Sequence, residues 1–352
     1  MIIINFIRPQ SGGNQRYTLE LLKFLEKQSF LKYKVLLGSC NLKYFDKKLC
    51  DDYLIRYTPR NLLFSMIFES FWLTVQKSKL NCILFSPNTL VPFFLGRFKK
   101  NIVTVHDMNF TEIYQGLLKN IYKKALYKRA INRCYKLIVV SEFVKQEVIR
   151  FACNKDIDSK INVIWNGIGG NFLPAEEVTS KVYKGKDFLI TFGHQPHKNV
   201  EEACEIYNIL KRRNDRIILV VIGSGPHINF LKKKNRKDKG IVFTGFVSDC
   251  ELVELYNNAL AMLFLSTYEG FGLPVLEAFS QKCPVVISDQ PALVEVAGGY
   301  AYVHKNINLT SEYLCKVMKA NSQIKNKLDD AKDYAAQFQW DNQFKRYLEI
   351  LK

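Results

Sequence analysis

The stretch AMLFLSTYEGFGLPVLEAFSQKCPVVIS, residues 261–288, settles the architecture of its half of the chain. Its opening run, 261–266, is apolar, too short for a helix, and reads as a strand buried on both faces. A Gly-Phe-Gly-Leu-Pro turn follows. Pro274 lacks an amide hydrogen that the first turn of a helix has no partner for, so a helix is expected to start beside it. The run 283–288 is apolar again and reads as the next strand. Strand, helix and strand in immediate succession argue for a parallel pair joined by a crossover. Two carboxylates flank the turn, Glu269 in the loop and Glu277 about one turn inside the helix. Both can face a ligand held at the helix N-terminus. Alternatively, Glu277 complements the helix dipole and Glu269 is solvated.

Outward from this unit the alternation repeats. Runs at 188–193, 217–223 and 241–245 read as strands of the same sheet, and those at 2–7, 33–38, 82–86, 101–107, 136–142 and 161–167 as strands of an earlier one. Helix-like stretches lie at 15–28 and 116–135. Segment 166–187, rich in Gly, Pro, Thr and charge, reads as a linker. The expectation is an α/β protein with two Rossmann-like parallel-sheet domains in tandem, residues 1–170 and 171–330, followed by a C-terminal helix in 331–352 that carries Trp340 and Phe344.

With 352 residues, 48% of them hydrophobic, the chain can fill two cores, which argues against disorder. The opening MIIINFIRPQ reads as a first strand, not a leader peptide, and no window approaches the ~18 consecutive apolar residues of a spanning helix. Nine cysteines without a C-x-x-C pair suggest neither a disulfide framework nor a zinc site, which fits the cytoplasm. The net charge of +18 is uneven: residues 1–175 hold 27 Lys+Arg against 12 Asp+Glu. A basic first half implies an anionic partner such as a phosphorylated substrate, an acidic lipid surface or nucleic acid.

Ligands of open parallel sheets bind beyond the carboxyl ends of the strands, so the loops there carry the candidates. In FGHQPHKN (192–199), Gly193 permits close backbone approach, Lys198 supplies a point charge for phosphate, and His194 and His197 add donors. IGSGPH (222–227) lacks the third glycine of a dinucleotide fingerprint and reads as a structural turn, which counts against an NAD enzyme. In PQSGGNQRY (9–17), Gly12 and Gly13 can present amides to a phosphate. His106, at the end of a strand in TVHDMNF (104–110), is a general base or a hydrogen-bond partner of a sugar hydroxyl. Ser141 reads as a helix N-cap. The single D-x-D, Asp156-Ile-Asp158, reads as a solvated loop, and no metal site is expected.

Together these motifs resemble the family 4 glycosyltransferases, retaining enzymes of the GT-B fold. The likeness is clearest over 188–290, through the glutamate pair with its GFGLP turn, the Pro-His-Lys-Asn run and the WNGI that closes the first domain; 40–80 match poorly. The resemblance implies a C-terminal helix packed back on the N-terminal domain, an acceptor-binding first domain and a nucleotide-sugar-binding second domain. It implies that Glu277 holds the nucleotide ribose, that Glu269 lies by the transferred sugar, that Lys198 binds the diphosphate aided by amides near Gly13, and that His106 contacts the donor sugar. Glu269, His106 and Lys198 are then the catalytic candidates. Gly12, Gly13, Gly193, His194, His197, Gly270, Phe271, Gly272 and Leu273 complete the nucleotide-sugar contacts. Where many members carry an arginine after the first glycine of the second domain, this chain has His194, in a loop one residue shorter.

The implied reaction is metal-independent and without cofactor: retaining transfer of a hexose, with mannose or rhamnose favoured, from a GDP-, UDP- or dTDP-sugar. The acceptor is expected to be lipid-linked or an oligosaccharide of bacterial surface-polysaccharide assembly, such as O-antigen or lipopolysaccharide. The basic helix of 119–136, with Lys119, Lys123, Lys124 and Arg129, and the aromatic-rich stretch 61–72 suit an anionic membrane surface, placing the protein at the inner face of the cytoplasmic membrane. Nucleic acid is not an expected partner. The rival readings are a nucleotide-sugar epimerase of the same fold and a basic nucleic-acid-binding protein.

Overall fold

Short apolar runs build two all-parallel sheets. The computed structural model describes residues 2–6, 13–28, 32–38, 53–56, 82–87, 100–111, 117–152, 155–169, 172, 186–319 and 322–351. The chain divides into two compact units, one formed by Met1–Gly167 with Trp340–Lys352, the other by Ile168–Gln339. The passages between units thus fall at 167/168 and 339/340, three and nine residues from the 170/171 and 330/331 expected.

The first unit holds strands β1 (Ile2–Phe6), β2 (Tyr33–Gly38), β3 (Tyr53–Arg56), β4 (Ile83–Ser86), β5 (Lys100–Val105), β6 (Lys136–Val139) and β7 (Ile161–Val163), in the order β3-β2-β1-β4-β5-β6-β7. Strand β3 was not expected: its four residues follow two aspartates and sit at the sheet edge, where the apolar run is weakest. Helices α1 (Gly13–Glu26), α2 (Leu117–Arg133) and α3 (Glu142–Ala152) cross between strands. Ser141 caps α3, its Oγ accepting from Val144 N at 3.1 Å. Asp156 and Asp158 lie in a short 3₁₀ helix, Lys155–Lys160, rather than a loop, with Asp158 paired to Lys145 at 2.9 Å.

The second unit holds β8 (Phe188–Phe192), β9 (Ile218–Ile222), β10 (Ile241–Gly245), β11 (Ala261–Phe264), β12 (Val285–Ile287) and β13 (Tyr302–Val303), in the order β10-β9-β8-β11-β12-β13. The opening stretch is β11, a loop, a helix and β12, with β11 and β12 parallel as its pattern requires. Helices α4 (Val200–Lys211), α5 (Pro226–Lys234), α6 (Asp249–Asn258), α7 (Leu273–Ser280), α8 (Pro291–Ala297), α9 (Ile307–Met318) and α10 (Ser322–Ala335) cover the sheet. The two-residue β13 is too short to show a period in sequence.

The tail is two helices, not one. After α10 the chain turns at Ala336 and Gln337, and Phe338 O accepts from Ile168 N at 2.6 Å before α11 (Trp340–Leu351) begins. Helix α11 buries Trp340, Phe344, Tyr347 and Leu351 against Tyr17, Leu21 and Phe24 of α1 and against β1, so the C-terminal helix does pack on the N-terminal unit. Gly167 is required there, since a Cβ would lie 2.5 Å from Trp340 N. The segment expected as a linker is mostly outside the described residues; the passage at 167/168 falls at its start, where Asn166, Ile168 and Phe172 are buried, Phe172 against Tyr256.

Candidate active site

In the second unit the strand order reverses between β8 and β11, and a crevice opens at the carboxyl end of such a reversal. The Lys198 loop leaves β8 and the Glu269 loop leaves β11, so the topology alone brings the two residues together. Lys198 Nζ donates to Glu269 Oε1 at 2.5 Å, with the lysine side chain 9% and the glutamate 16% exposed. The ammonium also lies 4.9 Å from the centroid of the Phe264 ring. Backbone bonds keep the loops in step: Thr267 N donates to His197 O at 2.8 Å, and Gln290 Nε2 to Glu269 O at 3.0 Å. Gln290 also caps α8, accepting from Leu293 N. Sequence reasoning missed Thr267 and Gln290; a glutamine before a proline just after a strand was the available signal for the second.

Pro274 lies in the first turn of α7, after Gly272 in a left-handed conformation (φ 101°). A Cβ on Gly272 would meet Leu293 Cδ2 at 2.5 Å, so both conformation and space demand glycine. Leu273 opens the helix, while Gly270 and Phe271 are buried in the turn before it. Glu277 is 3% exposed and accepts from the Tyr256 hydroxyl at 3.4 Å, a partner with no signal in the sequence. A glutamate serving only the helix dipole has no need of such burial. Both carboxylates of the opening stretch are therefore held by specific partners, Glu269 by Lys198 and Glu277 by Tyr256.

The glycines and histidines of the Lys198 loop play distinct parts. Gly193 N is bonded to Ile222 O, and its missing side chain makes room for Ile228, Val221 and Val200. Gly223 of the IGSGPH turn, at φ 129°, backs directly on His194. Burial first, and the Lys198 charge second, depress the imidazoles of His194 and His197 below their ordinary value, so both are neutral at pH 7.

In the first unit, Gly12 lies outside the described residues, while Gly13 opens α1 with nothing near its Cα side. His106 follows β5, nearly buried, with the Tyr17 ring edge-on at 4.7 Å. Its Nε2 is 2.8 Å from Pro87 O, a carbonyl at the end of β4, so Nε2 carries the hydrogen and Nδ1 is left as an acceptor. Burial holds its pKa at about 4 against the opposing Pro87 bond. Helix α2 carries Lys119, whose side chain lies outside the described residues, half-buried Lys123 and Arg129, and exposed Lys124, Lys128 and Ile121; Lys136 belongs to β6 instead. The aromatic stretch 61–72 lies outside the described residues.

The glycosyltransferase family 4 model matches residues 11–169, and the model for glycosyl transferases group 1 matches 175–337, so the two account for nearly the whole chain. The chain is a family 4 glycosyltransferase. The transferase is 27% identical to the O-antigen chain mannosyltransferase RfbU of Salmonella typhimurium, over 69% of this chain and 67% of the relative. It is 26% identical to O-antigen chain mannosyltransferase B of Escherichia coli, over 74% and 71% of the two. Among solved structures it resembles HepE of Anabaena, solved with UDP-glucose, with a TM-score of 0.78 at 14% identity over 99% of this chain and 98% of that one. That likeness shows the GT-B fold. Both sequence relatives are mannosyltransferases. No helix among the described residues is long and apolar enough to cross a membrane.

The buried His106 gives the transferase a pH signature. Its folded pKa of about 4 lies below the ordinary 6.5, so the unfolded chain takes up its proton first as pH falls. The stability tied to the neutral ring is whole above pH 6.5 and is lost as pH drops towards 4, about 2 kcal/mol of it by pH 5. Urea midpoints at pH 7.5 and 5.0 are expected to diverge by that amount more in wild type than in His106→Gln, which keeps a donor for Pro87 O. Equal pH dependence in the two proteins would refute the assignment.

Proposed function

We propose that the transferase moves mannose from a GDP-activated donor to a lipid-linked or oligosaccharide acceptor of surface-polysaccharide assembly, with retention at the anomeric carbon. The observation that carries this reading is the buried Lys198–Glu269 pair at the β8/β11 reversal, with the buried carboxylate of Glu277 on the helix that follows the Glu269 loop. A sugar nucleotide offers two hydroxyl-rich ends joined by a dianion, and the crevice offers carboxylates and a cation in complementary positions. Glu277 takes the ribose hydroxyls. Lys198, released from Glu269, takes the diphosphate, and the positive end of α7 adds to it. Glu269 then lies free beside the transferred sugar. His106, neutral with Nδ1 unprotonated, is able to accept a hydrogen bond from a hydroxyl.

As the glycosidic bond to phosphate breaks, negative charge grows on the departing diphosphate, and Lys198 with the helix dipole stabilises it in place of a metal ion. The mannosyltransferase relatives support the sugar, and GDP follows from the sugar. The exposed Lys124, Lys128 and Ile121 of α2 support docking on an anionic leaflet where a lipid-linked acceptor resides.

The test is a thermal-shift panel of GDP, UDP and dTDP, followed by donor turnover with and without EDTA and by the anomeric coupling of the product. GDP at 100 times its dissociation constant is expected to stabilise the protein by about 2.7 kcal/mol. Turnover is expected to survive EDTA and to yield the donor's anomer. Stabilisation by dTDP alone would move the sugar to rhamnose; no shift with any diphosphate, or an inverted product, would sink the reading.

A further inference from the structure

The pair at the centre of the site is the end of a longer chain of side chains. His304 follows β13, and its Nε2 lies 2.9 Å from Glu202 Oε1. Glu202, in the first turn of α4, accepts through its other oxygen from Asn199 Nδ2 at 2.5 Å. Asn199 is the residue after Lys198. On the far side, His304 Nδ1 is 2.8 Å from Thr310 Oγ1, a hydroxyl buried on α9. With Nε2–H donated to the carboxylate and Nδ1 bonded to the Thr310 hydroxyl, both ring nitrogens are engaged. A glutamate in a first helical turn needs only the dipole. Glu202 instead gives one oxygen to Asn199, the N-cap of its own helix, and the other to His304, 102 positions away.

Asn199 explains what is being held. Its φ of 53° is left-handed, a conformation costly to residues other than glycine, and it reverses the chain directly after Lys198. Glycine would meet the conformation at no cost but would offer no tether. The loop is also pinned before Lys198, where His197 O accepts from Thr267 N. The lysine therefore stands between two anchors, one on the Glu269 loop and one on the His304 chain.

We propose that His304 is a positioning residue for the diphosphate cation: acting through Glu202 and Asn199, it holds the loop in the conformation that presents Lys198 to the donor. This rests on the donor-site reading given above. Two variants test it in the full chain. His304→Ala removes the anchor, and His304→Gln restores a donor where Nε2 stood. Glu202→Ala, at a helix position that alanine favours, cuts the chain at its middle and serves if His304→Ala does not fold.

The first readout needs no ligand: hydrogen exchange at the amides of Lys198 and Asn199, which are bonded to Gln195 O and Pro196 O. Exchange is expected to accelerate about 10-fold or more in His304→Ala and Glu202→Ala and to return towards wild type in His304→Gln, with β8 and β11 unchanged. The second is the dissociation constant for GDP, UDP and dTDP, expected to rise about 10-fold in the alanine variants and to recover in His304→Gln. Unchanged exchange overturns the proposal, and so does faster exchange with unchanged affinity. A wild type that binds none of the three diphosphates overturns the donor-site reading instead, and the exchange rates still decide whether His304 holds the loop.

Discussion

Lys198→Met is expected to lower donor turnover by about 10²–10³-fold, a loss of about 3–4 kcal/mol of transition-state stabilisation. Two effects are mixed in that substitution, and they can be separated. The first is chemical. The ammonium is the one side-chain cation this reading places against the leaving diphosphate, since burial and the Lys198 charge leave His194 and His197 neutral. The second is structural. Without the lysine, Glu269 keeps a mostly buried carboxylate whose counter-ion is gone, and breaking a pair of this kind costs up to about 3–5 kcal/mol. Methionine retains most of the buried aliphatic stem, so the packing loss is small, although the ammonium's contact with the Phe264 ring goes. The double variant Lys198→Met/Glu269→Gln strands no charge. Its melting temperature is expected to return most of the way to wild type while turnover stays low. A double variant that turns over donor at the wild-type rate would remove Lys198 from the reaction.

Phe344→Ala is expected to destabilise the first unit by about 3–5 kcal/mol, the range for emptying a fully buried aromatic site. The ring stacks on Trp340 at 4.8 Å and meets Phe24 at 5.4 Å, Tyr347 at 5.3 Å and Tyr17 at 6.1 Å. No neighbour can collapse into the space without breaking another contact: Tyr17, which also faces His106, is held by its hydroxyl to Tyr347 at 2.7 Å. At roughly 2–4 °C per kcal/mol for a unit of this size, the melting transition should fall by about 10 °C. Asp341→Asn, one residue after the buried Trp340, is the control. Its ion pair with Lys27 spans 3.5 Å between two largely exposed side chains and is expected to contribute under about 1 kcal/mol. Removing residues 340–352 deletes four buried side chains of one core and should abolish cooperative unfolding of the first unit. A truncated chain that melts like wild type would show that α11 is not part of that core.

The strands were legible because each is a short apolar run between breakers, and the sheets they form are buried on both faces, where no polar alternation obscures the pattern. The elements missed are those without such a run: four residues at Tyr53–Arg56 on an edge, and two at Tyr302–Val303. The turn that carries the glutamates was legible for a different reason. Gly272 and Pro274 answer local backbone demands, a left-handed residue and a helix start, and local demands are written in local residues.

The sequence by itself determined two parallel-sheet domains, the loops that carry chemistry and the identity of the charged residues on them. It determined that Glu269 and Lys198 lie in loops at the carboxyl ends of strands and Glu277 in the helix after one of them, because strand direction follows from the crossover pattern. Only the tertiary structure decided which of these residues meet. Lys198 and Glu269 are 71 positions apart and pair because β8 and β11 are neighbours in the sheet although they are not successive in the chain. Tyr256 with Glu277, and His304 with Glu202 and Asn199, are decided in the same way. Periodicity records which face a residue takes, a property of its near neighbours in sequence; sheet order is a property of the whole packed unit, and no short window contains it.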